Sequence, residues 1–170
     1  AGLIIYKIAP IKKNCFVFTS FEGHYSDNTR SISEKLHEMH PDAEIIWLLL
    51  PGINGVPEYV KQIKYDSLRS YWARGRASVQ IDNVYGFRAN FIFDNSLKTR
   101  MRIWLFEKLG NKQKQPIIAT MHGTPFKKIG RTQIGNNVLG FSCPNTYLLV
   151  GNKHAEECLE YVTFGKCYMG

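Results

Sequence analysis

The stretch NCFVFTSFEGHYSDNTRSISEKLHEMHPDAEIIWLLL, Asn14 to Leu50, decides the fold. It opens on NCFVFTSF, Asn14 to Phe21, a short aromatic and β-branched run bounded by lysines on one side and the polar loop EGHYSDN on the other, the pattern of a buried strand. In NTRSISEKLHEMH, Ile32, Leu36 and Met39 recur at i, i+4 and i+7, which predicts an amphipathic helix with Asp27 or Asn28 as N-cap. Pro41-Asp42 ends it. AEIIWLLL follows with no polar alternation, as a strand covered on both faces of a parallel sheet does. Strand, helix and buried strand in that order make a βαβ unit.

The rhythm continues along the chain. After a Pro/Gly-rich turn from Pro51 to Pro57, YVKQIKY reads as a strand, DSLRSYWARGRA as a helix started by Asp66 or Ser67, and SVQIDN as another strand. Asn95 to Gly110 reads as a longer basic helix ending at its glycine, and a solvated NKQKQ leads to the strand PIIATMH. TYLLVG and NKHAEECLEYVTFG supply one more strand and helix, and KCYMG a last strand. Strands alternating with helices of this length predict an α/β, Rossmann-like, doubly wound parallel sheet over one domain, 1–170, with ligands at the carboxyl ends of the strands. Three loops after strands are polar and distinctive: FEGHYSDN, the turn at Asp82-Asn83, and HGTPFKK.

Composition limits what such a domain does. The chain has 170 residues, 44% hydrophobic and 13% aromatic, enough for one core. Its 22 Lys+Arg against 14 Asp+Glu, a formal +8, favour anionic partners. Nucleic acid fits the charge, but no RNP, KH or zinc-finger signature accompanies it, so nucleic acid is not expected as a partner. Cys15, Cys143, Cys158 and Cys167 lack CxxC or metal-like spacing, which points to reduced thiols and a cytoplasmic chain. No apolar run reaches the roughly 18 residues of a spanning helix. The start AGLIIYKIAPIKK lacks the features of a secretory signal and reads as a buried edge strand or tail, or as the stub of an interfacial segment.

HGTPFKK is the stretch richest in chemistry. Thr124 suits an N-cap and Pro125 a first helical turn, so His122 would stand beside free helical N–H groups, and Gly123 would let a ligand approach the backbone, with Lys127 and Lys128 behind. The alternative is a plain helix start with a hydrogen-bonded core histidine. Ser26, Asp27 and Asn28 are equally two-sided, either binding hydroxyl groups or capping the following helix. Asp82 and Asn83 are binding groups or loop-forming Asx residues. His24, His37, His40 and His154 read as solvated. No metal-ligand set stands out, and no cofactor is expected.

PIKKNCFVFTSFEGHYSDNTRSISEKL, EIIWLL, SVQIDN and MHGTPFKKIG, in this order and spacing, resemble the CDP-glycerol glycerophosphotransferase family, the teichoic-acid glycerol-phosphate primases and polymerases. The resemblance runs from about Pro10 to Gly170, and YSDN together with HGTPxKKxG carries most of its specificity. It implies a GT-B architecture of two Rossmann-like domains. This chain then corresponds to the N-terminal, acceptor-side domain, with the half that holds the CDP-alcohol outside it. The family's HGTP histidine, thought to act as base, falls on His122, and the resemblance implies attack of an acceptor hydroxyl on the β-phosphate of CDP-glycerol with release of CMP. The implied acceptor is an anionic polyol-phosphate polymer or a lipid-linked precursor at the cytoplasmic face of the membrane, with peripheral attachment. A non-catalytic basic module that binds anionic polymer or membrane is the alternative. Two departures stand out: Met121 where the family has Trp, and Arg131 where an acidic residue is usual. Tyr85 to Lys114 is longer than usual, and its helix bears Arg100, Arg102, Trp104, Phe106 and Lys108, suited to a membrane or polymer surface or to core packing.

Overall fold

The computed structural model describes residues 2–21, 23–83, 115–120, 146–150, 153 and 166–169. Its elements are α1 (Gly2–Ile8), β1 (Cys15–Thr19), α2 (Asp27–Met39), β2 (Glu44–Leu49), β3 (Lys61–Lys64), α3 (Leu68–Arg76), β4 (Val79–Asp82), β5 (Ile117–Ala119), β6 (Thr146–Val150) and β7 (Lys166–Met169). The strands form one seven-stranded sheet in the order β3-β2-β1-β4-β5-β6-β7. Every pairing is parallel. The expected helices at Asn95–Gly110 and after Val150 lie outside the described residues, apart from Lys153.

Register sorts the side chains onto two faces. Phe16, Phe18, Ile45, Trp47, Val79 and Ile81 stand level on β1, β2 and β4 and form one core with Ile32 and Leu36 of α2. Trp47 is its centre, stacked on Phe18 at 5.6 Å, edge-on to Tyr25 at 4.7 Å, and donating its indole N–H to Ser33 Oγ at 3.1 Å. Burying so large a ring contributes several kcal/mol, and truncations of this kind cost about 3–5 kcal/mol. On the opposite face Cys15, Val17, Ile46 and Leu48 pack beneath Ala73 and Ala77 beside α3. Burial there pushes the Cys15 thiol up to about 11, which suits a free structural cysteine.

Several details differ from expectation. The N-terminal segment is a helix, α1, packed along α3, and not an edge strand. Gly75 explains it: a Cβ there would collide with the Tyr6 carbonyl, so glycine lets α1 settle with Tyr6 and Ala9 buried while Ile4 and Ile8 stay exposed. The buried stripe of α2 runs through Thr29 and Ser33, and Met39, at its last position, is 63% exposed. His37 is half-buried and stacked on Tyr59 at 3.6 Å, whereas His24 and His40 are exposed.

The expected solvated NKQKQ also ends differently, since Gln115 is buried. Its side chain donates to the Arg74 and Ala77 carbonyls and accepts from Tyr6 Oη at 2.6 Å and Gln80 Nε2 at 2.9 Å. A fully satisfied buried network of this sort fixes a single arrangement, because each unmade bond would leave a desolvated polar group. It ties α1, α3, β4 and the entry to β5 together, so the carboxyl ends of β4 and β5 arrive side by side.

Candidate functional site

The strand order reverses direction at β1 and β4, and the crevice outside the carboxyl ends of those strands is where doubly wound sheets bind ligands. Two of the three distinctive loops meet there. Asn83, fully buried just past β4, accepts the Phe21 N–H on Oδ1 at 2.9 Å and donates from Nδ2 to Asp27 Oδ2 at 2.9 Å. The amide orientation follows from its partners, since a backbone N–H needs an acceptor and a carboxylate needs a donor. Neither an ionised Asp nor Ala at position 83 could hold both.

The loop from β1 to α2 is pinned at its other points as well. Ser20 is fully buried, its carbonyl accepts from Gly23 N at 2.9 Å and His24 N at 2.7 Å, and its hydroxyl lies 3.2 Å from Ser26 Oγ. Gly23 has φ 123° and a Cβ there would meet Leu50 N at 2.9 Å, so only glycine fits the close approach to the end of β2. Phe21 (φ 40°) and Asp27 (φ 64°) adopt the left-handed conformation without being glycine. Each such residue costs of order 1–3 kcal/mol, and such strain gathers where a loop is held for a purpose. Burial holds the Tyr25 hydroxyl well above the ordinary phenol range, and as a protonated donor it reaches Glu34 at 3.2 Å.

These contacts bear on the capping half of the two-sided readings. The N-cap of α2 is Ser26, not Asp27 or Asn28, and Ser26 makes no side-chain capping bond. Asp27 opens the helix and turns its carboxylate to Asn83, 56 residues away, which separates its role from ordinary capping. Asn28 is exposed on the first turn. Asp82 is buried, and its carbonyl accepts from Thr120 N at 2.8 Å, joining the β4 and β5 ends. His122, Gly123, Thr124, Lys127 and Lys128 lie outside the described residues; Thr120, two positions before His122, is the last one described at that end of β5.

Among the described residues no group of three or more His, Cys, Asp or Glu could hold a metal ion. Nor is any described helix long and apolar enough to cross a membrane. The arrangement offers hydroxyl, amide and carboxylate groups at one sheet edge, suited to an oxygen-rich ligand.

The chain has relatives among known proteins. The chain is 30% identical over 136 residues to a teichoic acid glycerol-phosphate transferase of Staphylococcus aureus (strain NCTC 8325 / PS 47), covering 78% of this chain and 30% of that protein. It is 31% identical over 121 residues to a teichoic acid poly(glycerol phosphate) polymerase of Staphylococcus epidermidis, covering 70% of this chain and 14% of that one. The chain therefore spans less than a third of the length of these relatives. In three dimensions it superposes on the wall teichoic acid polymerase TagF with a TM-score of 0.72 and 23% identity, over 98% of this chain and 41% of that one. A TagF variant soaked with CDPG gives 0.73 at 22% identity over 99% of this chain. The shared fold is the Rossmann-like α/β sheet that a GT-B architecture implies. Residues 4–167 match the family described as CDP-Glycerol:Poly(glycerophosphate) glycerophosphotransferase, and the chain belongs to that family.

Proposed function

We propose that this chain is the acceptor-side domain of an enzyme that moves glycerol phosphate, or a similar polyol phosphate, from a CDP-alcohol to a teichoic-acid-like or capsular polymer. The observation that carries the reading is the Phe21–Asn83–Asp27 clamp at the switch point of a family member's sheet, beside the strand that leads to His122. In the reaction the acceptor hydroxyl oxygen bonds to the β-phosphorus of CDP-glycerol, the bond from that phosphorus to the bridging oxygen breaks, and CMP leaves. His122 takes the hydroxyl proton. An imidazole with an ordinary pKa of about 6.5 is matched to that task near neutral pH, and such catalysis contributes roughly 10²–10⁴ in rate. Gly123, Thr124 and the cations Lys127 and Lys128, which the sequence alone sets beside His122, stabilise charge on the transferring phosphoryl group. Ser26, Asp27, Asn28, Asp82 and Asn83 bind and place the acceptor. The domain works peripherally at the cytoplasmic face of the membrane, where its +8 charge meets an anionic polymer or lipid-linked acceptor.

A two-domain site aligns hydroxyl and phosphate only when both halves are present, and alignment supplies about 7–11 kcal/mol of the barrier reduction. Titration calorimetry with CDP-glycerol tests the assignment. The complete protein binds it, whereas the 170-residue chain binds it negligibly and transfers nothing. Tight binding of CDP-glycerol to the isolated chain would assign this domain to the donor side instead.

A further inference from the structure

Among the described residues, the buried side-chain oxygens that lack any hydrogen-bond partner are Thr19 Oγ1 and Thr120 Oγ1. Both residues are more than nine-tenths buried, at 2% and 6% exposure. Neither position is scattered. Thr19 ends β1 in register with Asp82, and Thr120 follows β5 with its N–H on the Asp82 carbonyl, so the two hydroxyls flank the end of β4 from its two neighbouring strands. Ala119 shares the Asp82 register with Thr19, and alternation along the strand therefore puts Thr120 on the opposite face, level with Asn83. Thr120 thus stands on the face of Asn83 and Thr19 on the other, so the two hydroxyls bracket the carboxyl edge of the sheet from its two faces.

A buried hydroxyl without a partner destabilises a fold, and natural proteins satisfy nearly all of theirs. Two such groups, on the strands either side of β4 at the ligand-binding edge, point to a partner that arrives with the substrate. Threonine both donates and accepts, which fits a ligand that presents hydroxyl groups and phosphate oxygens together. Resting on the acceptor-side reading above, we propose that Thr19 and Thr120 bind the terminal polyol-phosphate unit of the acceptor polymer, a role that the sequence motifs do not mark.

The test replaces each hydroxyl by a methyl group of similar shape, Thr19→Val and Thr120→Val, in the complete protein, with Thr19→Ser and Thr120→Ser as controls. Without ligand, each valine variant unfolds at the wild-type temperature or roughly 2–4 °C above it, since an unsatisfied group has been removed. Calorimetric titration with poly(glycerol phosphate) shows each valine variant binding roughly three- to tenfold more weakly, with CDP-glycerol affinity unchanged and the serine variants near wild type. Lower unfolding temperatures for the valine variants would show that the hydroxyls already have a partner, such as a buried water, in the resting protein, and would overturn the proposal. So would unchanged polymer binding, or a loss confined to CDP-glycerol. Wild-type protein that binds the polymer but transfers nothing from CDP-glycerol would sink the transferase reading and leave this binding site standing.

Discussion

In the complete protein, His122→Ala lowers transfer from CDP-glycerol by about 10²-fold or more while the thermal unfolding profile stays in place. The expectation rests on the histidine following the β5 strand that lies beside the Asn83 clamp, and on the loss of a proton acceptor matched to neutral pH. The loss falls on kcat and kcat/KM together, because proton transfer stabilises only the transition state. Steady-state kinetics and a circular dichroism melt on the same preparation check it. Near-normal turnover by a folded variant would remove His122 from the role of base.

Asn83→Asp has the second large effect, and its sign depends on pH. The change keeps an acceptor for the Phe21 N–H but replaces the donor that faces Asp27 Oδ2 with a second carboxylate oxygen. Two unit charges about 4 Å apart repel by on the order of 4 kcal/mol at an effective dielectric of 20, so the folded pair keeps one shared proton to a higher pH than the unfolded chain does. A proton held more tightly in the folded state contributes stability that is present at low pH and lost as pH rises. The variant is therefore closest to wild type near pH 5, and between pH 6 and 8 it loses both unfolding temperature and activity. A displacement of the β1–α2 loop by roughly 1 Å accounts for a loss on the order of 10²-fold in transfer. Melts and initial rates across that range check the prediction. A variant with wild-type stability at pH 8 would show that the Asn83–Asp27 bond does not hold the loop.

Much of the sheet was legible because β1, β2, β5 and β6 are largely apolar runs and α3 begins at a capping residue. Of Asp66 and Ser67, the two residues read as the start of α3, Ser67 is its N-cap and accepts the Ser70 N–H at 3.2 Å. The N-terminal segment was not legible, since Leu3 to Tyr6 offers four consecutive apolar residues with no period, and what lets it pack against α3 is the bare backbone of Gly75 some seventy positions away. Gln115 looked solvated for the same reason, as its four partners lie on α1, α3, the C-cap of α3 and β4. The site divides likewise. HGTPFKK and YSDN announce themselves locally, but that Asp27 serves Asn83 rather than the helix end is a fact of strand order, visible only once β1 and β4 are neighbours.

The most direct test of the account is a product assay on the complete protein with CDP-glycerol, run with and without a glycerol-phosphate-primed acceptor. The account predicts CMP release that depends on the acceptor and matches, mole for mole, the glycerol phosphate gained by the polymer. CMP release that is independent of the acceptor, or polymer binding with no CMP formed at all, would contradict it.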